Sequence, residues 1–168
     1  DRYFSGINQT VLADPRVRYY NLPFRPTYPT EQRAFWSVAG VRAANAGYDL
    51  CRGEWIAPLD DDDEFTPDHI EVLLDACRRY QWDFAYSVFD MEKAPGEWSP
   101  VGYWPIAEGA TCHGSVLISS RLKAMRYDID AWRSGDYVSE NLQALSAAIA
   151  GPTLLLVGGV VNALVQTL

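Results

Sequence analysis

Gly53-Glu54-Trp55-Ile56-Ala57-Pro58-Leu59-Asp60-Asp61-Asp62-Asp63-Glu64-Phe65-Thr66-Pro67 is the stretch on which the reading of this chain turns. Five consecutive carboxylates repel one another unless water, a cation or nearby donors hold their charge. Here they follow an apolar run and precede a helix start. Thr66 is expected as the N-cap and Pro67 at the first helical position. Asp68 and Glu71 then lie in the first turn, where the helix dipole favours negative charge. The acidic run therefore sits between a strand end and a helix, and in an open α/β sheet that carboxyl edge is where ligands bind. Crowded hard oxygen donors suit Mg²⁺ or Mn²⁺, which accept one or two protein carboxylates and complete their shell with water and phosphate. The plainer alternative is a solvated acidic loop.

Working outward, residues 54–59 read as a strand covered on both faces, with Pro58 marking its end or a bulge. Upstream, 31–48 has amphipathic spacing through Ala34, Phe35, Val38 and Val41, with Gly47 as the stop. Downstream, 67–80 is a helix whose buried stripe is Ile70, Leu73, Leu74 and Cys77, and 83–91 is the next strand. Strand, helix, strand in this order predicts a right-handed parallel crossover, hence an α/β fold. Farther out, 1–13 suggests a short amphipathic helix, 17–21 a strand, and the proline-rich 22–30 a loop. Residues 93–109 read as a Pro-, Gly- and Trp-rich loop, 115–118 as a strand, 119–125 as a short helix and 127–135 as an irregular link. A helix over 136–150 and a buried strand over 154–157 close the pattern.

The chain has 168 residues, enough for one good core, and 48% hydrophobic and 13% aromatic residues place it among globular domains. With 14 basic and 22 acidic side chains its net charge is −8, which disfavours a nucleic-acid partner. Cys51, Cys77 and Cys112 are odd in number and far apart, so they predict buried thiols in a reducing compartment rather than a disulfide framework. No charged residue occurs after Glu140. Length alone would admit a membrane span there, but Gly151-Pro152, Gly158-Gly159, Gln143, Asn162 and Gln166 interrupt the run and favour helix, turn and buried strand.

Several polar or aromatic residues are candidates outside the acidic run. Arg42 and Asn45 lie near a helix end and could face a site. Asp90 ends a predicted strand, Trp104 stands with Trp98 and Tyr103 in a loop suited to stacking on sugar rings or to packing, and His113 titrates near neutral pH. Asp136 and Glu140, four apart, share a helix face.

The order Ala43-Ala44-Asn45-Ala46-Gly47, then Arg52-Gly53-Glu54-Trp55-Ile56-Ala57-Pro58-Leu59 with Asp60 to Glu64, then Pro67 and an apolar helix, resembles the family 2 glycosyltransferases of GT-A fold. The resemblance covers about 17–160. It implies a three-layer, Rossmann-related, mainly parallel sheet flanked by helices, incomplete at the N-terminus. The family's Pro-Thr-Tyr/Phe-Asn and Asp-Asp-Gly-Ser strands do not occur, and Ala44 replaces the Arg expected before Asn-x-Gly. A single partial domain over 1–168 follows, with the metal and donor half-site at about 31–91 and an acceptor-side region at about 92–160.

The resemblance further implies transfer of a sugar from a nucleotide-diphosphate sugar to an acceptor hydroxyl, with inversion and a divalent cation, Mn²⁺ or Mg²⁺. The acceptor class, saccharide, lipid or protein, stays open. Carried residue by residue, Asp62 and Asp60 are the implied metal ligands. Asp60, Asp61, Arg42 and Asn45 fall on the donor side, and Asp90, Trp104 and His113 on the acceptor side. Glu140, with Asp136 second, is the implied base. A cytoplasmic protein, peripheral at most to the inner membrane face, is expected. The rival reading is a non-catalytic carbohydrate-binding or structural domain of the same fold, and a third is a membrane-anchored segment.

Overall fold

In a computed structural model, residues 13–24, 27–104, 106, 110–124, 126–127 and 154–156 are described. The predicted helices in 1–13 and 136–150, and with the latter Asp136 and Glu140, lie outside them.

The Glu31 carboxylate accepts the backbone N–H of Arg33 (2.9 Å) and Ala34 (2.6 Å) and so starts helix α1, Gln32–Val38. The expected single helix over 31–48 is broken: Gly40 adopts φ 75°, a left-handed conformation cheap only for glycine, and α2, Val41–Leu50, starts anew after it. Gly47 sits inside α2 rather than stopping it. The end of α2 is instead capped by the Lys123 ammonium, which donates to the carbonyls of Asp49 (3.0 Å) and Cys51 (2.8 Å). A cation there also suits the helix dipole.

Strand β1 is only Trp55–Ile56. Pro58 has no N–H to offer a ladder, which accounts for the early end of the predicted strand. Helix α3, His69–Tyr80, begins two residues later than expected and has Asp68, not Thr66, at its N-cap. The Thr66 hydroxyl bonds the Asp68 carboxylate (3.1 Å), and its carbonyl accepts the His69 N–H. The buried residues of α3 are Leu73, Ala76 and Cys77, with Ile70 and Leu74 half-buried.

The predicted strand 83–91 divides at Val88 into β2, Phe84–Ser87, and β3, Phe89–Ala94. Strand β3 leaves the main sheet and pairs antiparallel with β4, Glu97–Val101, in a hairpin turned at Pro95-Gly96. Gly96 has φ 80°, and its N–H is taken by the Glu92 carboxylate at 2.7 Å. The segment 93–109 is thus not all loop. Pro100 argues against a central strand, but each strand of a two-stranded ribbon has a free edge where proline is tolerated. Residues 17–21 form no strand: Val17, Tyr19 and Tyr20 are exposed, and strand propensity without a half-buried pleated surface to fit does not make one.

Strand β5, Val116–Ser119, follows a 3₁₀ turn at His113–Ser115 and precedes another at Ser120–Leu122, where a longer helix was expected. Strand β6 is Leu154–Leu156. The sheet order is β1-β5-β2-β6. Strands β1, β2 and β6 run one way and β5 the other, so β1 and β2 are codirectional but not adjacent, and β2–β6 is the directly parallel pair. Among the described residues this sheet thus has two antiparallel pairings and one parallel pairing, and these do not by themselves make up the mainly parallel sheet that was expected.

Alternation along the strands divides the core. Ala85 and Leu117 face α3 with Leu73, Ala76, Cys77 and Trp82, while Phe84, Tyr86 and Val116 meet Trp104, Ile106 and Leu122 on the other side. Among the described residues that second face is covered by loop and turn residues. Cys51, Cys77 and Cys112 are free thiols. Among the described residues no helix is long and apolar enough to cross a membrane.

Candidate functional site

The acidic run leaves β1 through Pro58 and Leu59 and turns back at once, the Asp63 N–H reaching the Asp60 carbonyl at 3.3 Å. Residues 60–64 are all exposed. Downstream the turn is fixed by Phe65, whose ring stacks on His69 at 4.8 Å between centroids. Burial holds the His69 imidazole below its usual pKa, in keeping with its place in the first turn of α3, where a cation is disfavoured.

Against the turn lies the segment 112–115. Its 3₁₀ turn is locked by Ser115, nearly fully buried. The Ser115 Oγ accepts the Cys112 N–H (3.0 Å), and the Ser115 N–H donates to the Cys112 carbonyl (3.1 Å). The approach is close at Gly114, where a Cβ would stand 3.2 Å from Asp63 Oδ2 and 3.6 Å from Leu59 Cδ1. This approach brings His113 Nδ1 to 2.8 Å from Asp60 Oδ1.

The Asp63 carboxyl is pushed above the usual carboxylate range, first by partial burial and then by the charges of Asp60 and Asp62, with His113 acting in the opposite sense. Three carboxylates thus feel one another within a few residues.

Behind His113 stand two tyrosines. Tyr127 meets its ring edge-on at 5.6 Å and Tyr48 at 6.5 Å, and the two phenols stack at 6.0 Å. Burial raises both hydroxyls, and the charge of Asp60 adds to the shift at Tyr127. Asn45 clamps the Tyr127 backbone, donating Nδ2 to its carbonyl (2.9 Å) and accepting its N–H at Oδ1 (3.0 Å). The neighbouring Arg126 pairs with Asp49, and Lys123 caps α2, so three contacts hold 123–127 to the end of α2.

The family sequence model described as Glycosyl transferase family 2 matches residues 37–133, more than half of the chain and all of the geometry above. The chain belongs to the family 2 glycosyltransferases. Membership implies the GT-A fold and glycosyl transfer in general. No curated protein and no solved structure matches the chain.

In this glycosyltransferase the sequence-selected residues fall into three groups. Asp60, Asp61 and Asp62 lie on the acidic turn, and His113, expected on the acceptor side, contacts Asp60, expected on the donor side. Asn45 is close by but its amide is spent on Tyr127. Arg42 is exposed in the first turn of α2, Asp90 is exposed on the hairpin, and neither reaches the turn among the described residues. Trp104, half-buried, packs against the Phe84, Tyr86 and Val116 cluster, and its neighbours Trp98 and Tyr103 are the more exposed aromatics of that region. Sequence reasoning missed Tyr48, Tyr127 and Ser115, which touch the site only through contacts that no local spacing announces.

Among the described residues no group of three or more His, Cys, Asp or Glu side chains is arranged to hold a metal ion alone. The turn does fit a cation that brings other ligands: its carboxylates are exposed, mutually repelling and short of compensating charge, the condition under which one or two of them bind Mg²⁺ or Mn²⁺ together with phosphate oxygens.

Proposed function

We propose that this glycosyltransferase moves a sugar from a nucleotide-diphosphate donor to an acceptor hydroxyl with inversion, using Mn²⁺ or Mg²⁺ at the acidic turn. The observation that supports this most is the contiguity of Asp60, Asp61, Asp62 and Asp63 on one exposed turn, where the Asp63 carboxyl is raised first by partial burial and then by the charges of Asp60 and Asp62, a concentration of negative charge that a cation would offset. Asp62 and Asp60 would hold the cation, which supplies positive charge for the departing diphosphate. Asp61, exposed between them, faces the donor's polar groups. Glu140, or Asp136 four residues before it, takes the proton from the acceptor hydroxyl as it attacks the anomeric carbon.

Donor hydrolysis, followed by release of nucleoside diphosphate from a panel of uridine, guanosine and thymidine diphosphate sugars, tests the reading. Turnover is expected with at least one donor, to disappear with EDTA and to return with Mn²⁺. Asp62→Ala should lower it by about 100-fold, the scale of losing a principal electrostatic group. Saccharide binding with no hydrolysis of any donor would favour the non-catalytic carbohydrate-binding alternative instead.

A further inference from the structure

An aspartate on an exposed turn between other aspartates has every reason to swing outward. Its own charge is better solvated there, and like charges at its sides push it away. Asp60 is in that situation, with its side chain 52% exposed, yet its Oδ1 is tied to His113 Nδ1 at 2.8 Å. The histidine is the better-held partner of the two, its side chain only 21% exposed.

What fixes it comes from three separate parts of the chain. The Cys112–Ser115 turn sets its backbone, the edges of Tyr48 and Tyr127 confine its ring, and Asn45 pins Tyr127 through two hydrogen bonds. The other ring nitrogen, Nε2, is buried and has no hydrogen-bond partner among the described residues. The ring can therefore make its useful polar contact only through Nδ1, and a flip would trade that bond for none.

We infer that His113 is a positioning residue for the transfer reaction: it donates from Nδ1 to Asp60 Oδ1 and so holds the other oxygen, Oδ2, in place for the cation or donor. The inference rests on the assignment of Asp60 to the metal and donor group above. A carboxylate that must otherwise lose its freedom on binding is already ordered, so the cost of binding falls. Hydrogen-bonded support of this kind is commonly worth 10- to 100-fold in metal affinity. Asn45 and Tyr127 act one contact farther back, holding the holder.

Mn²⁺ alone, titrated into the full chain with the free ion followed by electron paramagnetic resonance, separates this role from simple packing. His113→Phe keeps an aromatic ring against Tyr48 and Tyr127 but has no donor, and it should bind about tenfold more weakly. His113→Asn loses the ring but places an amide N–H where Nδ1 was, and it should stay within about threefold of the wild type by the same reasoning. A merely structural histidine would give the opposite order, and that order overturns the inference.

Asp60→Asn calibrates the result. If it weakens Mn²⁺ binding while His113→Phe does not, the positioning role fails and the reading of the acidic turn stands. If the wild type binds no Mn²⁺, or Asp60→Asn binds as well as the wild type, the role given to Asp60 falls and takes this inference with it. Should His113→Phe not fold, as judged by circular dichroism, imidazole ¹⁵N resonances of the unsubstituted protein decide. The proton is expected on Nδ1 with a shift that moves in Asp60→Asn, and a proton on Nε2 alone would refute the proposal.

Discussion

At the scale of single residues, the site depends on contacts between side chains far apart in sequence. Asn45 illustrates it. Its place near a helix end marks it as a candidate in the sequence, but both of its amide atoms are turned to the backbone of Tyr127, 82 residues later. Asn45→Ala would leave a partly buried N–H and carbonyl unpaired, and a loss of about 2 kcal/mol is expected in urea unfolding. Asn45→Asp retains the acceptor for the Tyr127 N–H but sets a second acceptor oxygen against the Tyr127 carbonyl, so it should lose at least as much as Asn45→Ala. A loss well below that of Asn45→Ala would show that the bond from Nδ2 to the Tyr127 carbonyl contributes little. His113 was legible as a lone histidine and no more. Its partner Asp60 lies 53 positions upstream, and nothing in either local pattern says that a strand will return beside the acidic turn. The carboxylates themselves were legible because they are contiguous, and contiguity is the one spatial relation that sequence states outright.

At the scale of elements, the sequence is read well where one physical requirement dominates and poorly where two compete. Helix α3 was placed to within two residues at its start and at its last residue, since its apolar spacing and acidic first turn agree. Between 31 and 48 the spacing runs unbroken through Ala39 and Gly40, so periodicity favours one helix while Gly40 permits a left-handed break, and the break prevails. An alanine at residue 40 would meet no atom within 4 Å, so the cost of Gly40→Ala is almost purely that of φ 75° for an L-residue. A loss of about 1 kcal/mol follows. If urea unfolding instead shows Gly40→Ala to be as stable as the wild type, with more helix by circular dichroism, the two helices have fused and the break is not imposed by the fold. The hairpin β3–β4 was missed for the opposite reason: Pro95, Gly96 and Pro100 argue for loop, yet a turn needs the first two and an outer edge tolerates the third.

At the scale of the whole molecule, the strand directions could not be read because β5, Val116–Ser119, enters between two strands that the sequence joins through α3. Periodicity reports which side chains are buried and is silent on which neighbour buries them. Among the described residues β2 and β5 are packed on both faces, and each face carries a titratable group that reports on its packing. Cys77, on the buried side of α3, is 1% exposed, and burial first, and the Asp83 charge second, push its thiol up to about 11. Tyr86, fully buried on the opposite face, donates its hydroxyl to the Tyr103 carbonyl and is pushed up to about 12 by burial first and Tyr103 second. In the unfolded chain the thiol ionises near pH 8.5 to 9 and the phenol near pH 10. Above those values the unfolded state gives up a proton that the folded state keeps, so stability falls with rising pH. The contribution of Cys77 is whole below about pH 9 and lost as pH climbs to about 11, and that of Tyr86 is lost between about pH 10 and 12. Urea unfolding at pH 8 and pH 10.5 should show the wild type losing about 2 kcal/mol more than Cys77→Ala, whatever the absolute stability of the variant. Tyr86→Phe should follow the wild type to pH 10 and flatten beyond it. Parallel curves for wild type and Cys77→Ala would mean that water reaches the thiol, and that α3 does not seal the sheet face on which the acidic turn is built.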